Sequence, residues 1–353
     1  MLVIKTRNAH NALPEAIYQL RMSGVSRESR NGPVLMFPTP VCTVYERPEE
    51  RVVFWPERDA NPFFHFFEAL WMLGGRNDVG YLAQFVGRMR NYSDDGKTFN
   101  GAYGWRWRHQ FGGDQLNLII DALKANRDDR RQVLSMWSPS RDLGCPSKDI
   151  PCNLQAIFQI DCEGRLTMVV NNRSNDIIWG AYGANAVHFS YLHEYVARSV
   201  GVSQGTYYQV SANFHAYLDT LKQVIDLSKY APNYRFMDAF PSPYEAHTGR
   251  VEPYPLMTVN REQWDGELKM FLEHPNALGF TDPFFKRVAV PLWRAHEYIR
   301  DKSNKHRFDT ALGCLAECRA TDWKRAAIEW VNRRKAAAAE RQKRAMDDGV
   351  IYE

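Results

Sequence analysis

Residues 151–176 read PCNLQAIFQIDCEGRLTMVVNNRSND, and this stretch decides the fold. Residues 154–161 and 165–172 are rich in apolar and β-branched side chains, and Glu163-Gly164 between them is a turn signal. The pattern therefore predicts a tight hairpin of two antiparallel strands.

Helices and strands surround this hairpin without a regular alternation. Helical spacing or a continuous apolar run predicts helices over residues 61–73, 114–125, 185–200, 214–228 and most of 284–346. Runs of β-branched and aromatic residues predict strands within 33–55, from Arg131 onward and over 205–211. Mixed elements with one tight hairpin indicate the α+β class.

The composition is that of a folded chain. Of 353 residues, 44% are hydrophobic and 24% charged, which excludes intrinsic disorder. No stretch approaches 18 uninterrupted apolar residues, and the first residues lack the apolar region of a secretory signal. Six cysteines are too few for a disulfide scaffold, and a net charge of +4 is too small to indicate nucleic-acid binding. We therefore expect a soluble cytoplasmic protein, in the host cytoplasm if its source is viral.

Cys152 precedes the first strand of the hairpin, and arginines lie at the ends of predicted strands. Arg130 and Arg131 precede one strand, and Arg173 follows another. Arginine suits bidentate phosphate contacts, and nearby arginines would lower the pKa of a thiol. A thiolate beside a phosphate-binding cluster indicates covalent catalysis on a phosphorylated substrate. For a cysteine taken alone, a buried structural role is the alternative.

Other candidate residues have simpler interpretations. Cys314 and Cys318 are four residues apart on a predicted helix with no histidine in register, so the sequence predicts no metal site. We interpret His188 and His193 as ordinary core or surface histidines. The basic residues after 323 indicate a solvated amphipathic helix, with contact to nucleic acid or a partner protein as the alternative.

Eight short blocks follow one another in a fixed order along the chain. They are SRNG at 29–32, EALWMLGG at 68–75, YGWRWR at 103–108, RR at 130–131 with WSP at 137–139, PC at 151–152, RSND at 173–176, GAYGAN at 180–185 and NFHAY at 213–217. In this order they resemble the thymidylate synthase superfamily, and in character the chain resembles the pyrimidine nucleotide hydroxymethylases of that superfamily.

The resemblance implies a fold and an organisation. A thymidylate synthase-like fold has a mixed, mainly antiparallel sheet packed with helices, and forms a homodimer across the sheet. We expect a catalytic domain over residues 1–283 and a helical C-terminal extension over 284–353, packed on the same domain. The final residues 349–353 do not match the apolar ending usual in the synthases.

The resemblance also implies catalytic roles. Cys152 would add to C6 of the pyrimidine and make C5 nucleophilic, and Glu68 would organise water and proton transfer. Tyr103 and Asn185 would be the other catalytic residues. The one-carbon donor would be 5,10-methylenetetrahydrofolate, and the enzyme would be a one-carbon transferase.

Binding residues follow from the same blocks. The nucleotide-binding residues would be Arg30, Arg173 and Ser174 at the 5′-phosphate, Arg130 and Arg131 from the second subunit, His215 and Tyr217 at the sugar 3′-hydroxyl, and Asn185 at the pyrimidine edge. The folate-binding residues would be Asp176, Trp71 and Asn153.

The chain departs from the synthases where they carry two tryptophans. It has no tryptophan between Trp71 and Trp105, and Met89, Arg90 or Tyr92 occupies that region. A more polar and looser pocket would admit water, so we expect the product to be 5-hydroxymethyl-dUMP rather than dTMP. An unusual thymidylate synthase and a non-enzymatic relative that binds nucleotide or nucleic acid are alternatives.

A further departure concerns the pyrimidine base. Asn153 and Asn213 replace a histidine and an aspartate of the family pattern, and GAYGAN has one extra residue. An ungapped alignment would place Ala184 at the base, whereas the following helix favours Asn185. An asparagine amide fits the N3–O4 edge of uracil, so we expect dUMP, with dCMP or CMP as the alternatives.

Overall fold

A computed structural model describes residues 1–231 and 242–347, so the chain end at 349–353 lies outside the described residues. The described strands are β1 Leu2–Thr6, β2 Val25–Arg27, β3 Val34–Met36, β4 Val41–Tyr45, β5 Val133–Ser135, β6 Asn153–Ile160, β7 Arg165–Asn172, β8 Asn175–Asp176, β9 Ser203–Ser211 and β10 Phe214–Tyr217. The described helices are α1 Ala9–Ser23, α2 Pro62–Leu73, α3 Val79–Ala83, α4 Tyr103–Trp105, α5 Gln115–Ala125, α6 Pro139–Asp142, α7 Asn185–Val200, α8 Leu218–Val224, α9 Arg261–Glu273, α10 Val290–Arg300, α11 Arg307–Ala316 and α12 Thr321–Asp347.

A six-stranded mixed sheet forms the centre, in the order β1-β4-β9-β7-β6-β5. The predicted hairpin is confirmed: β6 and β7 pair antiparallel, and Gly164 takes a φ of 76° in their turn, a left-handed conformation that favours glycine. β7 then pairs parallel with β9, which pairs antiparallel with β4. Parallel and antiparallel pairs thus share one sheet, and the predicted α+β class is confirmed.

A second, smaller sheet was not predicted. It has the order β2-β3-β10-β8, and its strand β10 lies where the sequence predicted the start of a helix over 214–228. That helix begins only at Leu218. The prediction was wrong because β10 pairs with both β3 and β8 and buries Phe214 fully, so tertiary pairing overrides local propensity.

The segment 51–55 was also predicted as strand, and it forms none. Its Val52, Val53 and Phe54 are buried in an irregular stretch. The ring of Trp55 stacks on His10 of α1 at a centroid distance of 4.5 Å. Apolar composition therefore located this segment in the core correctly but did not determine its backbone.

Helix α2 occupies the centre of the helical layer. It is apolar on nearly every side, as predicted, and Phe66 on it is fully buried against Tyr191 of α7 and Trp323 of α12. Trp330, two turns farther along α12, meets Phe63 edge-on. Residues after 284 thus share the core of the preceding part of the chain, while the domain boundary at 283/284 stays a prediction.

Two ion pairs join helix α12 to an early loop. Arg333 and Arg334 both bind the carboxylate of Asp59, with 3.1 Å between Arg333 Nε and Oδ1 of Asp59. Part of the C-terminal basic group therefore has a partner within the chain. In the described residues, none of the helices is both long and apolar enough to cross a bilayer.

Candidate active site

Cys152 lies in the loop that leads into β6, and the Tyr103 hydroxyl accepts hydrogen bonds from this loop. The backbone N–H groups of Cys152 and Asn153 donate to the Tyr103 hydroxyl, at 3.2 and 3.3 Å. Burial raises the pKa of Tyr103, so its hydroxyl stays protonated. Gly104 allows this position, because a Cβ there would lie 1.9 Å from the carbonyl oxygen of Met72 on α2.

Two arginines rest on the same loop. Arg173 donates from Nε to the carbonyl of Pro151 at 2.8 Å, and Arg30 reaches the carbonyl of Lys148 at 3.5 Å. Their charges act to lower the pKa of Cys152, but burial outweighs them and the pKa is raised overall. The expectation of an arginine-activated thiol is therefore wrong for the unliganded chain, because desolvation of the thiolate is the larger effect.

A chain of side-chain amides runs from Asn153, the neighbour of Cys152, into the sheet. Asn153 donates from Nδ2 to Oδ1 of Asn185 at 3.3 Å, and Asn185 donates from its own Nδ2 to Oδ1 of Asn175 at 3.0 Å. Asn175 in turn donates to Gln209 and Ser211 of β9, at 2.9 and 3.0 Å. The amide of Asn185 is thereby fixed in one orientation beside the nucleophile loop.

The extra residue of the GAYGAN block is taken up before helix α7 begins. Ile177–Ala184 forms wide π-helical turns that are interrupted by non-helical backbone at Tyr182 and Gly183. Helix α7 then starts at Asn185, as expected. The contact of Asn185 with Asn153 agrees with the gapped alignment, whereas its reading of the base stays a prediction.

The predicted sugar and folate residues meet on the small sheet. His215 of β10 lies opposite Asp176 of β8 in register. Burial lowers the pKa of His215 and raises that of Asp176, and each charge would favour the charged form of the other. Asn31, from the SRNG block, donates to the Tyr217 hydroxyl at 3.4 Å.

A cleft of about 690 Å³ opens beside these residues. Its walls include the predicted Glu68, Asp176 and Tyr217, together with Met89 and Tyr92 from the segment without tryptophan. The cleft therefore joins residues of α2, the small sheet and the departing segment, which the sequence placed around one site.

The cleft also has a cationic wall that the sequence analysis missed. Trp179 lies with the guanidinium groups of Arg58 and Arg88 over its ring, at 4.5 and 4.4 Å from the centroid. Arg58 is buried, and its Nη2 has no hydrogen-bond partner within the residues described. Burial lowers the pKa of Arg58 to about 10. The available signal was Trp179 itself, a large aromatic residue three positions after Asp176 of the RSND block.

Glu68 has a partner that we had interpreted as an ordinary histidine. Nε2 of His188 lies 2.8 Å from Oε2 of Glu68, an ion-pair distance, although the angle falls outside hydrogen-bond geometry. His188 follows Asn185 by three residues, so both lie on the same face of α7. That spacing was the signal that could have identified it.

Glu68, Asp176 and Tyr217 are the predicted site residues that line the cleft, and the other predicted residues, Cys152 and Asn185 included, do not. Arg130 and Arg131 are exposed before the edge strand β5, and Arg131 pairs with Asp129 at 2.8 Å. Trp71 is 3% exposed and donates from its indole to Asp78 at 3.1 Å. Their predicted roles, like that of the partly buried Ser174, stay predictions.

No group of three histidine, cysteine, aspartate or glutamate side chains placed to hold a metal ion occurs in residues 1–231 and 242–347. All six cysteines lie in these ranges and are free thiols.

Comparison with known proteins gives consistent matches. The thymidylate synthase family model matches residues 49–236. A deoxyuridylate hydroxymethyltransferase of Pseudomonas phage M6 is 65% identical over 353 residues, which is the full length of both chains. A protein of the same name from Bacillus phage SP01 is 39% identical over 191 residues, covering 51% of this chain and 50% of its own. A putative thymidylate synthase of Methanothermobacter marburgensis is 38% identical over 151 residues, covering 42% of this chain and 62% of its own. This chain therefore belongs to the thymidylate synthase family.

Proposed function

We propose that the chain is a deoxyuridylate hydroxymethyltransferase, which converts dUMP into 5-hydroxymethyl-dUMP with 5,10-methylenetetrahydrofolate as one-carbon donor. The observation that carries this proposal is the contact of Asn153, which follows Cys152, with the fixed amide of Asn185, whose neighbour Ala184 lines a cleft that contains Glu68 and has no tryptophan from residues 72–104. The full-length similarity to the phage M6 protein of that name supports it.

The residues of the chain account for the steps on the nucleotide. The Cys152 thiolate forms a bond to C6, and the C5–C6 electron pair moves toward O4, which makes C5 nucleophilic. The Asn185 amide would donate to the developing charge on O4. When bound, the folate would supply the one-carbon unit to C5. C5 loses its proton as the exocyclic methylene forms, and tetrahydrofolate leaves. Water then attacks this methylene, Glu68 takes the proton, and the returning electron pair breaks the bond between C6 and Cys152. No reductant is consumed.

The cleft also has the character that the folate requires. Its volume of about 690 Å³ suits an elongated ligand. Arg58 and Arg88 present planar cations that suit a flat ring and carboxylates, and the buried Nη2 of Arg58 lacks a partner among described residues. Asp176, Trp71 and Asn153 are the residues predicted to contact the pterin, and of these Asp176 lines the cleft.

The chain would act as a homodimer in the cytoplasm. Arg130 and Arg131 are exposed at the edge of the large sheet, where a second subunit can receive them at its 5′-phosphate site. Six free thiols agree with a reducing compartment, which is the host cytoplasm if the source is a phage. Residues 1–283 would form the catalytic domain and 284–353 its helical extension.

One experiment tests the activity and the substrate together. The protein is incubated with dUMP, dCMP, UMP or CMP and methylenetetrahydrofolate, and the products are weighed by mass spectrometry. We expect a hydroxymethyl product from dUMP and no dihydrofolate absorbance. A methyl product with dihydrofolate would identify a synthase instead, and a product from the cytosine nucleotides alone would overturn the uracil assignment. Failure of tritium release from C5 in every reaction would indicate a relative that only binds.

A further inference from the structure

His188 stands behind Glu68 as a second titratable group. It is 4% exposed on α7, and within the described part of the chain neither of its ring nitrogens has a hydrogen-bond partner. Its Nε2 lies 2.8 Å from Oε2 of Glu68, which is also buried without a hydrogen bond. Buried polar atoms are costly when unpaired, so each of these two groups depends on the other or on a bound molecule for a partner.

The orientation of Glu68 joins this pair to the cleft. Glu68 lines the cleft while its Oε2 is turned inward to His188, which leaves Oε1 as the oxygen that faces a bound molecule. His65, one turn earlier on α2, also lines the cleft. Burial and the charges of Arg58 and His188 hold the pKa of His65 well below its usual range. His65 is therefore neutral and does not compete for a proton with the pair.

The chemistry of the cleft creates a need for such a pair. A reaction that ends with hydride transfer requires no acceptor for a water proton, whereas addition of water to an exocyclic methylene does. Glu68 can accept this proton on Oε1 only if its carboxylate is held in place and can pass a proton onward. The neighbouring ring nitrogen of His188 meets both requirements.

Taking the proposed function as given, we propose that His188 is a positioning residue for the water step, which orients Glu68 and accepts the water proton through it. Before this step Glu68 carries a proton on Oε2. As the O–C bond to the methylene forms, the water proton moves to Oε1 of Glu68 while the Oε2 proton moves to Nε2 of His188. The methylene electron pair moves to C5 and then expels the Cys152 thiolate from C6. The proton returns to solvent through Glu68 when the product leaves.

The test compares two events in a single reaction. Tritium release from C5 of labelled dUMP reports the steps before water addition, and formation of 5-hydroxymethyl-dUMP reports water addition to the methylene. With 2-mercaptoethanol present, a methylene that water does not capture is trapped as a thioether. In His188→Gln we expect hydroxymethyl product to fall by about 10- to 100-fold, while tritium release changes by less than about threefold and the thioether accounts for the difference.

His193→Gln is the matched control. His193 lies on the same helix, is fully buried, and contacts the carbonyl of Leu166 through Nε2 at 2.6 Å, away from Glu68. We expect its ratio of hydroxymethyl product to released tritium to stay at the wild-type value. Thermal unfolding of both variants checks folding, and His188→Asn is the second variant if His188→Gln is unstable.

The outcomes separate the two proposals. An unchanged ratio in the His188 variants, whether or not both rates fall together, overturns the positioning role. A wild-type protein that makes a methyl product and dihydrofolate overturns the proposed function instead, and this result needs no variant.

Discussion

The two sides of the site differ in how completely their polar groups are paired. On the nucleophile side, both polar atoms of the Asn185 amide are engaged and the Cys152 loop is held by Tyr103, although Oδ1 of Asn153 lacks a hydrogen bond among the described residues. On the cleft side, Oε2 of Glu68, the ring of His188 and Nη2 of Arg58 have no hydrogen bonds among the described residues. Paired groups fix a geometry in advance, whereas unpaired buried groups gain their partners from what binds. We infer that the nucleotide meets a preformed surface and the folate and water meet an incomplete one.

On the nucleophile side, Cys152→Ala should have the largest effect. Without the sulfur, C5 cannot become nucleophilic, so we expect tritium release from C5 of dUMP to fall by at least about 10⁴-fold. Binding of dUMP, measured by calorimetry, should stay close to wild type because the arginines and amides remain. Residual release near the wild-type rate would mean that another residue is the nucleophile.

Tyr103→Phe tests whether the loop is held in advance. The change leaves the N–H groups of Cys152 and Asn153 without their acceptor, at about 1–3 kcal/mol for each buried group. We expect turnover to fall about 10- to 100-fold. Tyr81→Phe is the control, because its buried hydroxyl has no hydrogen bond in the described structure. Equal effects of the two changes would argue against a role for the Tyr103 hydroxyl in holding the loop.

Asn185→Asp asks what the fixed amide reads. A carboxyl group can accept from the amino group of cytosine, so we expect the preference for dUMP over dCMP to shift toward dCMP by about tenfold or more. Competition between the two nucleotides in one reaction measures the shift. If Asn185→Asp causes no shift in preference, the result would favour the ungapped alignment, which places Ala184 at the base; Ala184 lines the cleft.

The pH dependence of Cys152 alkylation separates the effect of burial on the thiol pKa from the effect of the nearby arginine charge. Burial raises the pKa of Cys152 and Arg173 lowers it, so Arg173→Gln should raise this pKa further. The pH at which iodoacetamide alkylation of Cys152 rises, without nucleotide, should therefore be higher in the variant than in the wild type. A shift to lower pH would contradict the contribution of Arg173.

The smallest effect is expected at the rim of the cleft. Asp59→Asn weakens the ion pairs with Arg333 and Arg334, whose side chains are 31% and 39% exposed. Exposed pairs contribute little, so we expect a loss of about 0.5–1 kcal/mol and a melting temperature lower by about 1–3 °C. Lys335→Met, which removes a pair with Asp309 on α11 away from the cleft, is the control for helix α12. If Asp59→Asn weakens folate binding by more free energy than it lowers the free energy of unfolding, α12 also supports the cleft.

The sequence predicted the elements that depend on local patterns. The hairpin of residues 154–161 and 165–172, the apolar helix α2 and the start of α7 follow from periodicity and turn residues, and all three are confirmed. The strand at Phe214–Tyr217 could not be predicted because its partners come from distant segments.

The same division holds for the site. Motif blocks predicted Cys152, Glu68 and Asn185 as site residues, whereas the His188–Glu68 contact joins two helices and follows from no block. The direction of the Cys152 pKa required a balance of burial against charge that no motif contains.

The π-helical turns at Ile177–Ala184 have a consequence for how this site could diverge. One residue inserted into a regular helix rotates everything after it by about 100°. Here the wide turns lie ahead of α7 and can take up an extra residue before that helix begins, so the positions of Asn185 and His188 on one face of α7 need not change. A local defect in the helix thus lets one part of the site accept new residues while the register of the other part is preserved.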